Sequence, residues 1–246
     1  KIYDDYFKLS LSNAPRITHA ATGKEAQERL QKKSYDLVVI MLRVDEVNPI
    51  PLAQQIRSQC PDTPTVLLLN DNSEIPILFN WENQLDIFTE IFVWNGDTKV
   101  FLAMIKHIED LMNVDNDTRL GLVQVILLVE DSIRYYSRYL PILYTRIIQQ
   151  TQQLMTEENF DDRNQMLRLR SRPKVLTARN YENAVKIIEK HKDYLLCVIS
   201  DMTYNKDGKK HEKAGFELLN YLKKELPTLP AVIQSSDVEN ENLATH

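Results

Sequence analysis

Short apolar runs recur along this chain at 36–42, 65–69, 91–94, 123–129, 174–177, 194–200 and 231–233. Most are rich in branched residues and show no clear polar alternation, the pattern of parallel strands covered on both faces. Amphipathic helical patterns lie between them, at 23–33, 51–59, 99–112, 181–190 and 215–225. In 99–112, Phe101, Leu102, Ile105, Ile108 and Leu111 follow the 3.6-residue period. Strand and helix therefore alternate, which predicts an α/β protein with parallel sheets and right-handed crossovers.

At 246 residues the chain is long enough for two ordinary domains. The polar stretch 113–121 separates the last helix of one half from a very apolar strand and is the expected linker. It divides 1–112 from 122–246. The halves repeat each other weakly. Each has a helix entry rich in Glu and Ala (Thr22-Gly-Lys-Glu-Ala; Asn180-Tyr-Glu-Asn-Ala) and a proline-bracketed entry to a later strand (Pro61-Asp-Thr-Pro64; Pro227-Thr-Leu-Pro230). A tandem duplication of one α/β unit is the expectation. The second half carries an excursion of over forty residues between Glu130 and Lys174, far more than a simple crossover needs. Its first part, from Ser132 to about Met155, reads as one long helix with Tyr135, Tyr139, Leu143, Ile147 and Leu154 on one side and Pro141 as a candidate kink. Residues 165–172 form a basic amphipathic piece.

Composition removes several function classes. Five glycines, none clustered, leave no dinucleotide fingerprint or phosphate loop. Two isolated cysteines, Cys60 and Cys197, exclude a disulfide scaffold and, with scattered histidines, a zinc set. They read as buried small hydrophobes in a reducing cytoplasm. A net charge of −5 argues against nucleic-acid binding, and no apolar stretch is long enough to span a membrane. We read the chain as an internal fragment of a longer protein.

Carboxylates stand at expected strand ends in the second half: Glu130 and Asp131 after 123–129, and Asp201 after 194–200. In a parallel sheet those ends share one edge, where ligands bind. At an effective dielectric of ~20, each pair of like charges 4 Å apart is unfavourable by about 4 kcal/mol. A hard dication such as Mg²⁺ relieves that repulsion through carboxylate and water oxygens. Ser235 ends the fourth strand with a hydroxyl able to donate to a phosphoryl oxygen.

The motifs Val-Ile-Leu-Leu-Val-Glu130-Asp131-Ser, Val-Ile-Ser-Asp201-Met and Leu-Pro-Ala-Val-Ile-Gln-Ser235-Ser together resemble the receiver domain of two-component response regulators. The run Ala214-Gly215-Phe-Glu-Leu-Leu resembles that family's entry to its third helix. The resemblance covers about 122–246. It implies two flavodoxin-like (βα)5 receivers in tandem, the second with a helical insertion after its first strand and ending before its fifth. It further implies that Asp201 accepts phosphate from a histidine kinase, phosphotransfer protein or small donor. Glu130, Asp131, Asp201 and the Thr203 backbone carbonyl would hold Mg²⁺, and Ser235 would be the switch hydroxyl. The family's lysine after the fifth strand has no candidate, and the loop after Asp201 is longer than usual.

Over 14–112 the first half is similar to the same family in outline only, with its first strand missing. Met41 stands at the phosphoacceptor position, Leu69 at the switch position and Asn95 near the lysine position. This half is expected to be a pseudo-receiver. The whole chain looks like the N-terminal regulatory region of bacterial phosphoenolpyruvate synthase/pyruvate phosphate dikinase-like proteins. The residues carrying this are Val-Glu-Asp-Ser-Ile-Arg-Tyr-Tyr-Ser, Met-Leu-Arg-Leu-Arg-Ser-Arg-Pro-Lys and Gln-Ser-Ser-Asp. The implied role is a non-enzymatic regulatory module acting on an attached or partner output domain.

Other readings stand beside this one. A phosphorylation-independent interaction scaffold would leave both halves structural. A haloacid-dehalogenase-like phosphatase would want a second Asp two residues after Asp201, where Thr203 stands. The Tyr135/Tyr139 stripe reads as packing, with a partner or homodimer surface as the alternative. Met41 reads as core packing, Asp207-Gly208 as a turn, His211 as an exposed loop residue, and Arg168/Arg170/Arg172 as a solvated face.

Overall fold

Parallel strands and helices alternate as the apolar pattern requires. The computed structural model describes residues 15–43, 48–157 (154–157 as backbone only) and 172–235. The chain divides into two compact units: Lys1–Ile105 with Ser137–Ile142, and Lys106–Tyr136 with Leu143–His246.

In the first unit, α1 (Gly23–Lys32) opens on a cap, where the Thr22 side chain accepts from the Glu25 N–H and Glu25 accepts from the Ala21 N–H. Then come β1 (Val38–Met41), α2 (Pro49–Gln59), β2 (Thr65–Leu69) and β3 (Glu90–Val93). The three strands are parallel in the order β1-β2-β3. Every residue of β2 is buried, as a central strand covered on both faces must be. Between β2 and β3 lies a 3-10 segment, Asn72–Ile87, that the periodicity does not announce. Pro76 lies inside it, and Trp81 departs from helical backbone angles.

Helix α3 (Lys99–Gly121) runs through 113–121, the stretch read as a linker from its polarity. Those residues are therefore the last turns of a helix. Strand β4 (Val125–Val129) follows, then α4 (Ile133–Glu157), which continues through Pro141. The buried stripe of α4 is Tyr136, Leu140, Tyr144 and Ile148, one position on from the expected Tyr135/Tyr139/Leu143/Ile147 stripe. Those four side chains lie half-buried on its flank, while that of Leu154 is outside the described residues, as are 158–171.

The second unit continues with β5 (Lys174–Ala178), α5 (Tyr181–His191), β6 (Leu195–Asp201), β7 (Tyr204–Lys206), β8 (Lys209–His211), α6 (Ala214–Glu225) and β9 (Ala231–Gln234). Its main sheet is four-stranded and parallel, in the order β5-β4-β6-β9. In chain order this is second-first-third-fourth. Val125, Leu127, Val129, Val198, Ala184, Ile188, Leu218 and Leu222 build the core on this sheet.

A buried polar knot pins β5 to α3 and α4. Asp110, fully buried, accepts from Arg172 Nη1 (3.0 Å) and Nη2 (2.8 Å), from the Tyr144 hydroxyl (2.8 Å) and from the Val175 N–H (2.9 Å). Arg172 is thus an interior ion-pair residue, 5% exposed, and not part of a solvated face. Charge neutralised by a bidentate carboxylate can be buried where an unpaired guanidinium could not. Arg168 and Arg170 lie outside the described residues. Among the described residues, no helix is long and apolar enough to cross a membrane.

Candidate functional site

The C-terminal edge of the four-stranded sheet gathers three carboxylates of the second unit. Val129 pairs with Ser200 across β4 and β6, so Glu130 stands level with Asp201, the last residue of β6. The Glu130 N–H donates to the Ala178 carbonyl at 2.9 Å, which extends the ladder and fixes its backbone. Glu130, Asp131 and Asp201 each offer a carboxylate oxygen, and these oxygens all lie within 4.8 Å of one another.

Their surroundings differ. Glu130 is buried, with Oε1 accepting the Ser132 N–H at 3.0 Å just before α4 begins. Burial pushes its carboxyl up to about 7, against the lowering by that backbone bond and helped by repulsion from Asp201 and Asp131. Asp201 is also raised, first by burial, while backbone N–H groups of Thr203 and Met202 hold it down. The Thr203 N–H lies 3.2 Å from Asp201 Oδ2, and the Thr203 hydroxyl donates to the Glu212 carbonyl at 3.1 Å. An all-oxygen donor set at this spacing fits a hard dication.

Gly215 sets the far wall of this edge. Its N–H donates to the Met202 carbonyl at 2.9 Å, and a Cβ there would stand 2.2 Å from the Asp201 carbonyl oxygen. Only glycine lets the start of α6 approach the end of β6 so closely.

The long loop after Asp201 is a β-hairpin. Asp207 (φ 52°) and Gly208 (φ 72°) form its turn, both in the left-handed region that two-residue hairpin turns of type I′ demand. Tyr204 anchors it, fully buried, with its hydroxyl accepting from Ser200 Oγ at 3.2 Å. The opposite strand brings Lys210 back to the edge, where its Nζ lies 2.7 Å from Asp131 Oδ2. His211 sits on β8, and its Nε2 is 3.5 Å from a Glu217 carboxylate oxygen.

The sequence thus identified the three carboxylates that the fold brings together. Ser235 follows Gln234, which pairs with Asp201 across β6 and β9; its side chain is exposed. Lys210 escaped sequence reasoning. Its signal was present in Asp207-Gly208, a turn pair flanked by two short polar runs, which folds the following lysines back toward Asp201.

In the first unit the corresponding edge is built otherwise. Met41 ends β1 and, with Val39, is 38% exposed, so it lies outside the core that its apolar run suggested. Leu69 is fully buried. Glu74, also buried, accepts from the Asn70 N–H (2.7 Å), from the Asn70 side chain and from Arg43 Nε (2.7 Å). Cys60 and Cys197 are free thiols, each half-buried and not fully enclosed; burial raises the Cys197 thiol.

No protein-family model matches the chain, and no curated protein matches its sequence.

Proposed function

We propose that the second unit is a receiver-type phosphoacceptor module of two-component signalling, and that the first unit is a pseudo-receiver. The observation that carries this reading is the convergence of Glu130, Asp131 and Asp201 at the C-terminal ends of the first and third strands. The strand order second-first-third-fourth supports it, because ligands of open doubly wound sheets bind at that edge beside the switch in strand order.

Asp201 is the nucleophile. One of its carboxylate oxygens attacks the phosphorus of a phosphohistidine or small acyl phosphate. The donor's P–N or P–O bond breaks, imidazole or carboxylate leaves, and an aspartyl phosphate forms. Glu130, Asp131, Asp201 and the Thr203 carbonyl would hold Mg²⁺, which when bound supplies positive charge against the phosphoryl oxygens. The Thr203 N–H orients the Asp201 carboxylate. Ser235, exposed at the same edge, is the hydroxyl that would donate to a phosphoryl oxygen and couple β9 to the charge change. The donor we assign is a histidine kinase or phosphotransfer protein, and the output a phosphoenolpyruvate synthase-like part.

The test is intact-protein mass spectrometry after incubation with acetyl phosphate and Mg²⁺. One phosphoryl mass is expected, lost in Asp201→Asn and retained in Met41→Ala. No added mass in the unaltered chain would favour the phosphorylation-independent scaffold.

A further inference from the structure

The Lys210 ammonium is placed by the fold rather than by chance of a flexible loop. Tyr204 is fully enclosed, Asn205 bridges to Asn180, and the Asp207 N–H donates to Glu182 at 2.8 Å. Lys206 pairs with Glu217 and stands 4.4 Å over the Tyr181 ring. With β7 and the turn held, the antiparallel ladder puts Lys210 of β8 opposite Asn205. From there Nζ reaches Asp131 Oδ2 at 2.7 Å. Its charge also acts favourably on the ionised forms of Glu130 and Asp201. The side chain is 56% exposed, so solvent can receive the ammonium when it leaves.

We propose that Lys210 is a tethered counter-ion of the carboxylate edge, which a divalent cation must displace from Asp131 to bind. The inference rests on the metal-site reading above. The ammonium holds Asp131 Oδ2, and a cation on either oxygen of that carboxylate would bring two positive charges into repelling range. The hairpin therefore weakens cation binding while keeping the edge partly neutralised in its absence. Because Lys210 is half-exposed, its hold on Asp131 is modest, and its removal should tighten Mg²⁺ binding about two- to fivefold.

The experiment is Mg²⁺ titration of the whole chain by calorimetry at constant ionic strength, with amide shifts near residues 130, 131 and 201 recorded in parallel. Lys210→Met should bind two- to fivefold tighter than the unaltered protein. Lys209→Met, which removes the same charge from the opposite side of the hairpin, should leave affinity unchanged. Equal or weaker affinity in Lys210→Met, or the same gain in Lys209→Met, overturns the displacement while leaving the metal site standing. Absence of Mg²⁺ binding in all three proteins overturns the metal site itself and the displacement with it.

Discussion

Glu130 makes its own unit pH-sensitive, and Glu130→Gln isolates that effect. Its carboxyl rises from 4.5 to about 7 because burial, abetted by two neighbouring carboxylates, disfavours the charge. A carboxyl whose folded value exceeds its unfolded one stabilises the fold fully below the unfolded value. That contribution is then lost as pH climbs through the folded value. The window here runs from about 4.5 to about 7. At about 1.36 kcal/mol per pH unit the whole difference is about 3 kcal/mol, and partial solvent access at the edge reduces it to about 1–2 kcal/mol. Glutamine keeps an oxygen to accept the Ser132 N–H, so the backbone contact survives. The variant should match the unaltered protein closely at pH 4 and exceed it by about 1–2 kcal/mol at pH 8 without divalent cation. Native-state hydrogen exchange of β4 and β6 amides reads this unit by itself. A variant equally stable, or less stable, at pH 8 would refute the reasoning.

Asp110→Ala should destabilise the second unit by about 3–5 kcal/mol, because Arg172 is left charged and buried; adding Arg172→Met should recover part of the loss in urea denaturation. Gly215→Ala should cost about 1–3 kcal/mol, through a Cβ driven against the Asp201 carbonyl, and should move the amides of residues 201–203 in NMR spectra. Gly208→Ala should cost about 1 kcal/mol from its positive φ alone, since nothing lies within 4 Å of the added carbon. Thermal unfolding checks that last figure.

The central strands were the most legible: β2 and β4 are buried along their whole length, and an uninterrupted apolar run has few other uses. Strand ends then located Glu130, Asp131 and Asp201 without knowledge of the crossovers. Polarity misled at 113–121, where Asp115 and Asp117 favour a loop by composition. In the fold Asp115 pairs with Lys190 and Asp117 with Lys174, and α3 continues. The stripe of α4 was misplaced by one residue because two tyrosines, Tyr135 and Tyr136, compete for the interior. Tyr136 and Tyr144 win it, Tyr144 by donating to Asp110. Arg172 could not be read as buried from the sequence, since its partner lies 62 residues earlier.

The two parallel sheets differ in how charge is satisfied at their C-terminal edges. In the first unit, Glu74 is supplied with donors from its own chain: a backbone N–H, an amide and a guanidinium close its carboxylate. A charge so satisfied needs no ligand and offers little to one. In the second unit three carboxylates share the edge, with donors from Ser132 and Thr203 and one half-exposed ammonium. Two of the three are raised, first by burial and further by the neighbouring carboxylates. That repulsion is what a dication would remove, and a phosphoryl group on Asp201 would add to it. Charge is thus satisfied unequally at the two edges. In the first unit Met41 and Leu69 offer neither carboxylate nor hydroxyl, and the Glu74 carboxylate is already closed by its donors.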